Sequence, residues 1–129
     1  MISTKTDESG RVLTMSYEQH VGVKDMRRCL GTVRDMMADL KPGFLLFTDL
    51  SSLKSMDTSC ASDLAAVMDL CDAKGMETVV RVIPDPAKDI GFALISCFHD
   101  HTHVHTRTYD NLADAVQSLC AQTSENASP

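Results

Sequence analysis

Between Val23 and Leu40 the apolar residues Met26, Cys29 or Leu30, Val33, Met36 or Met37 and Leu40 recur three or four positions apart, the apolar stripe of an amphipathic helix. Lys41-Pro42-Gly43 ends that pattern, because proline lacks the N–H a helix needs and glycine accepts the turn. Phe44-Leu45-Leu46-Phe47 is an unbroken apolar run of strand length, as expected for a central strand covered on both faces, and Asp49 is expected to close it. Leu64, Val67, Met68 and Cys71 return to helical spacing, and Lys74-Gly75 supplies a cationic last turn and a C-terminal glycine. Thr78 to Ile83 is rich in β-branched residues and reads as a second buried strand, stopped by Pro84-Asp85-Pro86.

The remaining segments are weaker in pattern but of the same kind. Ile90, Leu94, Ile95 and Phe98 mark a short helix, and His103 to Thr108 a last strand. Asp110 is then placed to cap a helix carrying Leu112, Ala115, Val116 and Leu119. At the other end, Ser3 to Lys5 pairs with Arg11 to Tyr17 as an edge hairpin across Ser9-Gly10. Strands alternating with helices through short loops predict a single α/β domain over residues 1–121. Its central sheet is mostly parallel, and residues 122–129 form a polar, flexible tail.

Composition narrows the class of function. The chain has 129 residues, 43% of them hydrophobic and 23% charged, the balance of a soluble globular domain. A net charge of −6 without a Lys/Arg cluster argues against nucleic acid, since nothing would displace counterions from phosphate. The polar start MISTKTDESG and the absence of a long apolar run predict neither a leader nor a membrane span. Five widely spaced cysteines with no Cys-x-x-Cys pair read as free thiols in a reducing, cytoplasmic setting. The partner expected on this basis is another protein.

Two stretches carry candidate chemistry. The first is the hinge Met56-Asp57-Thr58-Ser59-Cys60, between the end of a strand and the start of a helix. Asp57, Thr58 and Ser59 are all residues that cap helices, and one cap explains one of the three oxygens. A loop at the C-terminal end of a strand in an open α/β sheet is also where ligands and anions bind, so the helix start tolerates a phosphate on Thr58. The second stretch is His99-Asp100-His101-Thr102-His103-Val104-His105, in which His101, His103 and His105 share one face of an extended strand. Imidazoles spaced about 7 Å apart along one strand splay too widely for a single tetrahedral ion, so these are weak metal candidates and no metal site is assigned. Enzyme signatures are thin: the sequence holds no phosphate-binding glycine loop, no Gly-x-Ser-x-Gly elbow and no His-Glu-x-x-His. The remaining enzymatic reading is a metal- or thiol-dependent one using His101, His103 or a Cys60 thiolate favoured by the helix dipole.

From Gly43 to Leu119 the chain resembles the STAS domain, the fold of anti-sigma factor antagonists. The resemblance rests on Phe47-Thr48-Asp49-Leu50-Ser51, on Met56-Asp57-Thr58-Ser59-Cys60 where the family has Asp-Ser-Ser-Gly, on Gly75 and Pro84 around a strand, and on Asn111-Leu112-Ala113-Asp114-Ala115-Val116. It implies a regulatory domain with no catalysis and no cofactor of its own, whose partner is an anti-sigma factor or serine/threonine kinase. Thr58 falls at the phosphorylated position, with Ser59 as second choice. Ser55, Met56, Asp57, Ser59, Cys60 and Asp63 would form the docking patch. A scaffold or small-ligand-binding module that is never phosphorylated is the other reading of the same fold. The chain departs from the family at Cys60, which replaces the glycine, at Thr58, which replaces the commoner serine, and after Tyr17, where no Gly-Glu-Leu-Asp step follows.

Overall fold

The computed structural model describes residues 1–83 and 105–127. Five strands form one mixed sheet in sequential order: β1 (Ile2–Thr6), β2 (Val12–Val21), β3 (Leu45–Met56), β4 (Thr78–Val82) and β5 (His105–Tyr109). β1 and β2 pair antiparallel, as the edge hairpin predicts, and the β2–β3, β3–β4 and β4–β5 pairs are parallel. The helices are α1 (Val23–Met36), α2 (Ala61–Lys74) and α3 (Leu112–Ala127). Crossovers through α1 and α2 advance in the same direction across the sheet, so with a common hand they lay both helices on the same face.

The unbroken apolar runs are explained by burial on two sides. Leu46, Leu50 and Val79 pack with Met26 and Val33 of α1 and Leu64 and Val67 of α2, whereas Phe47, Val80 and Val82 pack with Ala115 of α3 on the opposite face. α2 ends as expected at Gly75, whose φ of 100° is left-handed and whose N–H reaches back to Asp72 and Cys71 carbonyls. α1 ends earlier than its apolar spacing predicts. After Met36 the chain tightens, the Asp39 N–H bonds the Met36 carbonyl, and the Lys41 N–H is taken by the Gly10 carbonyl from the β1–β2 turn. Leu40 still reaches the core, 2% exposed, from this turn rather than from the helix. At the start of α3 the capping oxygen belongs to Asn111, which accepts the Asp114 N–H at 2.8 Å, and not to Asp110, which instead accepts from the Asn111 amide. α3 continues to Ala127, beyond Gln122 where the polar tail is expected. The expected Ile90–Phe98 helix, the Pro84–Pro86 stop, and His101 and His103 fall outside the described residues.

Asp49 does not close β3. The strand runs on to Met56, and its pairing with β2 slips twice: Ser16 faces Asp49, Glu18 faces Ser52, and His20 faces Ser55. Each slip inserts one extra residue on β3, which is a β-bulge. The Asp49 carboxylate stabilises the first by accepting the Ser51 N–H at 2.9 Å. Because of the bulges the inward positions become Leu50, Leu53 and Met56, three apart rather than two, and all are buried.

Two expectations follow. Leu53→Ala lowers stability by about 2–5 kcal/mol, whereas Lys54→Ala, its exposed neighbour, changes it by less than about 0.5 kcal/mol. Urea titration of both variants distinguishes this bulged strand from a regular one, in which Lys54 and not Leu53 would continue the inward row from Leu50.

The second concerns alkaline pH. Burial pushes the Cys29 and Cys71 thiols from their ordinary 9.0 up to about 12, and burial first, then the nearby Cys29, Cys71 and Cys60 thiols, raises the Tyr17 phenol well above its ordinary value. The folded chain thus keeps protons that the unfolded chain releases, so this stability is complete below about pH 9 and is lost as pH rises toward about 12. Urea midpoints measured between about pH 8 and pH 10.5 should fall, and fall less steeply in Cys29→Ala.

Candidate functional site

Parallel pairing brings the ends of β2 and β3 out together at the C-terminal edge of the sheet. Val21 faces Met56 there, and the Val21 carbonyl accepts the Asp57 N–H at 3.0 Å, so the backbone of Asp57 is fixed as the last rung of the pair. The chain then turns through a single 3-10 turn, Thr58–Cys60, directly into α2. The Cys60 N–H closes this turn on the Asp57 carbonyl at 3.0 Å.

Burial sorts the expected site residues into two sets. Asp57, Thr58 and Ser59 are exposed, and Ser55 and Asp63 are half-buried beside them. Met56 and Cys60, expected in the docking patch, are 4% and 0% exposed and belong to the core beneath it. Cys60 occupies the position of the family's glycine by pointing its thiol inward, where the sulfur lies 3.8 Å from the Val21 carbonyl. Burial, followed by the carboxylates of Asp57, Asp63 and Asp25, pushes the Cys60 thiol up, against the expected thiolate at the helix start. A buried thiol held neutral is a poor nucleophile, so the thiol-enzyme reading loses its central residue.

Capping also differs from expectation. The residues at the two N-cap positions, Asp57 before the 3-10 turn and Cys60 before α2, make no side-chain cap, so Asp57 does not serve the capping role it was a candidate for. The Asp57 carboxylate is instead turned toward β2, with Oδ1 3.3 Å from His20 Nε2, while His20 Nδ1 lies 2.7 Å from Ser55 Oγ. Asp25, at the start of α1, accepts the Gly22 N–H at 3.0 Å, and Arg27 Nε pairs with Asp63 at 3.6 Å. The rim therefore consists of Asp25, Asp57 and Asp63 with His20 and Arg27, around two free hydroxyl-bearing residues at a helix start whose dipole favours an anion.

His20, Asp25 and Arg27 are the members of this rim that the sequence does not single out, and His20 is the one that touches Asp57. It lies just beyond Tyr17, where the hairpin strand is expected to end, and its position opposite Ser55 depends on both bulges. Of the C-terminal histidines, His105 lies exposed on β5, and no cluster of three or more metal-ligating side chains occurs among the described residues. No described helix is long and apolar enough to cross a membrane.

No protein-family model and no curated protein sequence matches the chain. Solved structures do. An anti-sigma factor antagonist, SpoIIAA in its unphosphorylated form, superposes with a TM-score of 0.65 at 8% identity over 94% of this chain and 98% of its own. The Bacillus cell-fate determinant SpoIIAA in its phosphorylated form gives 0.63 at 9% identity, over 92% and 99%. An anti-sigma factor antagonist from Mycobacterium paratuberculosis gives 0.55 at 21% identity, over 93% and 95%. The chain has the STAS, or SpoIIAA-like, fold over nearly its whole length, which is the architecture its sequence resembles.

Because the Asp57 side chain makes no cap, Asp57→Ala should change stability by less than about 0.5 kcal/mol, where loss of a working cap costs about 1 kcal/mol. Equilibrium urea unfolding measures the difference.

Proposed function

We infer that this chain is a regulatory protein–protein interaction module of the anti-sigma factor antagonist type, switched by phosphorylation of Thr58, with Ser59 as the second acceptor. The observation that supports it best is the pair of exposed hydroxyl residues at a helix start that Asp57 leaves without a side-chain cap, on a fold whose solved examples include one antagonist in both its unphosphorylated and its phosphorylated form. The start of α2 favours the charge of a phosphate by its dipole and its N–H groups. Around it, Asp25, Asp57 and Asp63 already make the rim acidic, so adding about −1.5 to −2 charges changes what can dock there.

The docking surface on this reading is Ser55, Asp57, Thr58, Ser59 and Asp63, with Met56 and Cys60 as its buried floor. The partner is an anti-sigma factor or a serine/threonine kinase in the cytoplasm; the unmodified form binds it and the phosphorylated form lets go. ATP and magnesium belong to the kinase, and the chain performs no catalysis. Its acidic net charge of −6 fits a protein partner better than nucleic acid or an anionic membrane surface.

Incubation with the serine/threonine kinases of the same genome, followed by intact-mass analysis, should add one phosphate to the wild type and none to Thr58→Ala. Thr58→Glu should weaken binding to the cognate anti-sigma factor by about tenfold or more. Absence of phosphate with every kinase, together with unchanged binding by Thr58→Glu, would leave the module as a scaffold without a switch.

A further inference from the structure

His20 makes two contacts that the proposed switch does not yet use. Its Nδ1 lies 2.7 Å from Ser55 Oγ and its Nε2 3.3 Å from Asp57 Oδ1, so one ring bridges the last outward residue of β3 and the residue before Thr58. The bridge holds in either charge state. A neutral ring with its proton on Nε2 faces Asp57 and accepts from the Ser55 hydroxyl at Nδ1, and a protonated ring donates to both.

Its placement depends on local backbone features. Without the second bulge, the preceding register would set His20 opposite Lys54 rather than Ser55. Gly22 lies beside the carboxylate, where an added Cβ would meet Asp57 Oδ2 at 3.4 Å, an ordinary contact. An aspartate directly before a helix ordinarily folds its side chain back onto the N–H groups two or three residues on, here that of Ser59 and that of Cys60, which already bonds the Asp57 carbonyl. Asp57 has the extended backbone of such a capping residue, φ −63° and ψ 133°, yet makes no side-chain cap.

We propose that His20 is a positioning residue for the switch: by bridging Ser55 and Asp57 it holds the Asp57 carboxylate away from the start of α2, and so keeps the Thr58–Ser59 segment open to a phosphate and to the enzyme that adds it. The consequence for regulation rests on Thr58 being the modified residue. The geometry of the bridge does not, and it is read without any kinase.

Backbone amide spectra of the full chain test the bridge. In His20→Ala the released carboxylate caps the helix, so the Ser59 or Cys60 amide proton moves downfield and its exchange slows by about fivefold. The double variant His20→Ala/Asp57→Ala reverses this change. In His20→Gln, whose amide can donate to Asp57 and accept from Ser55, the wild-type spectrum is kept. Ser59 and Cys60 amides unchanged in His20→Ala, a change that persists in the double variant, or a Gln variant that behaves like Ala overturns the proposal.

With a kinase that modifies the wild type at Thr58, kcat/KM should fall about fivefold in His20→Ala and be restored in His20→Gln. Equal rates in all three proteins overturn the regulatory half of the proposal. If no kinase modifies the wild type, the functional reading fails on its own, and the amide spectra still decide whether His20 holds Asp57 aside.

Discussion

The register of β3 along β2 is the constraint on which the rest of this structure depends. Two extra residues in β3 shift its inward row from alternate positions to Leu50, Leu53 and Met56, and the same two shifts bring Ser55 opposite His20. A one-residue slip in a strand moves every following side chain to the other face. Core and surface are therefore set together here. The geometry that buries Met56 and Cys60 is the geometry that leaves Asp57, Thr58 and Ser59 outside.

That division of labour accounts for the chemistry of the loop. Cys60 fills the interior beneath α2 and is held as a neutral thiol, so it contributes packing and not nucleophilicity. The carboxylate best placed to cap the helix is engaged by an imidazole from the neighbouring strand. What remains at the surface is a short polar segment with two hydroxyls, fixed at one end by the Asp57 to Val21 backbone bond and at the other by the first turn of α2. The surrounding ion pairs are exposed and individually weak, so they shape the local potential more than they hold the fold.

Much of the architecture was legible in the chain because burial on two faces writes itself as unbroken apolar runs. Phe44 to Phe47 announced one central strand in that way and the β-branched Thr78 to Ile83 another, and the spacing of Leu64, Val67, Met68 and Cys71 announced α2, with Gly75 marking its end. The second half of β3 was hidden for a physical reason: bulges erase the period of two by which a strand is recognised, and the spacing of Leu50, Leu53 and Met56 mimics a helix. Asp49 looked like a terminator because its side chain bonds the backbone locally, which is what a turn and a bulge have in common. Thr58 was singled out as a candidate by its place in the hinge and by a resemblance. His20 was not found, because an exposed residue at a strand end has no pattern of its own, and only the register of two strands distant in sequence places it beside Asp57.

The bulged segment has a mechanical consequence. β4 pairs with β3 only as far as Asp49, and β1 pairs with β2 only as far as Tyr17. Beyond those points β2 and β3 continue together and carry His20, Ser55 and Asp57, and Met1 bonds the outer edge of β2 at Glu18 and His20. With fewer strands beside it this pair can twist more than the five-stranded body, while its inward residues Val21, Leu53 and Met56 stay in the core. The start of α2 is thus joined to a strand pair whose inward side chains belong to the core and whose outward ones, His20 and Ser55, lie at the surface. A partner that twists this pair therefore also acts on Leu53 and Met56 in the core beneath it.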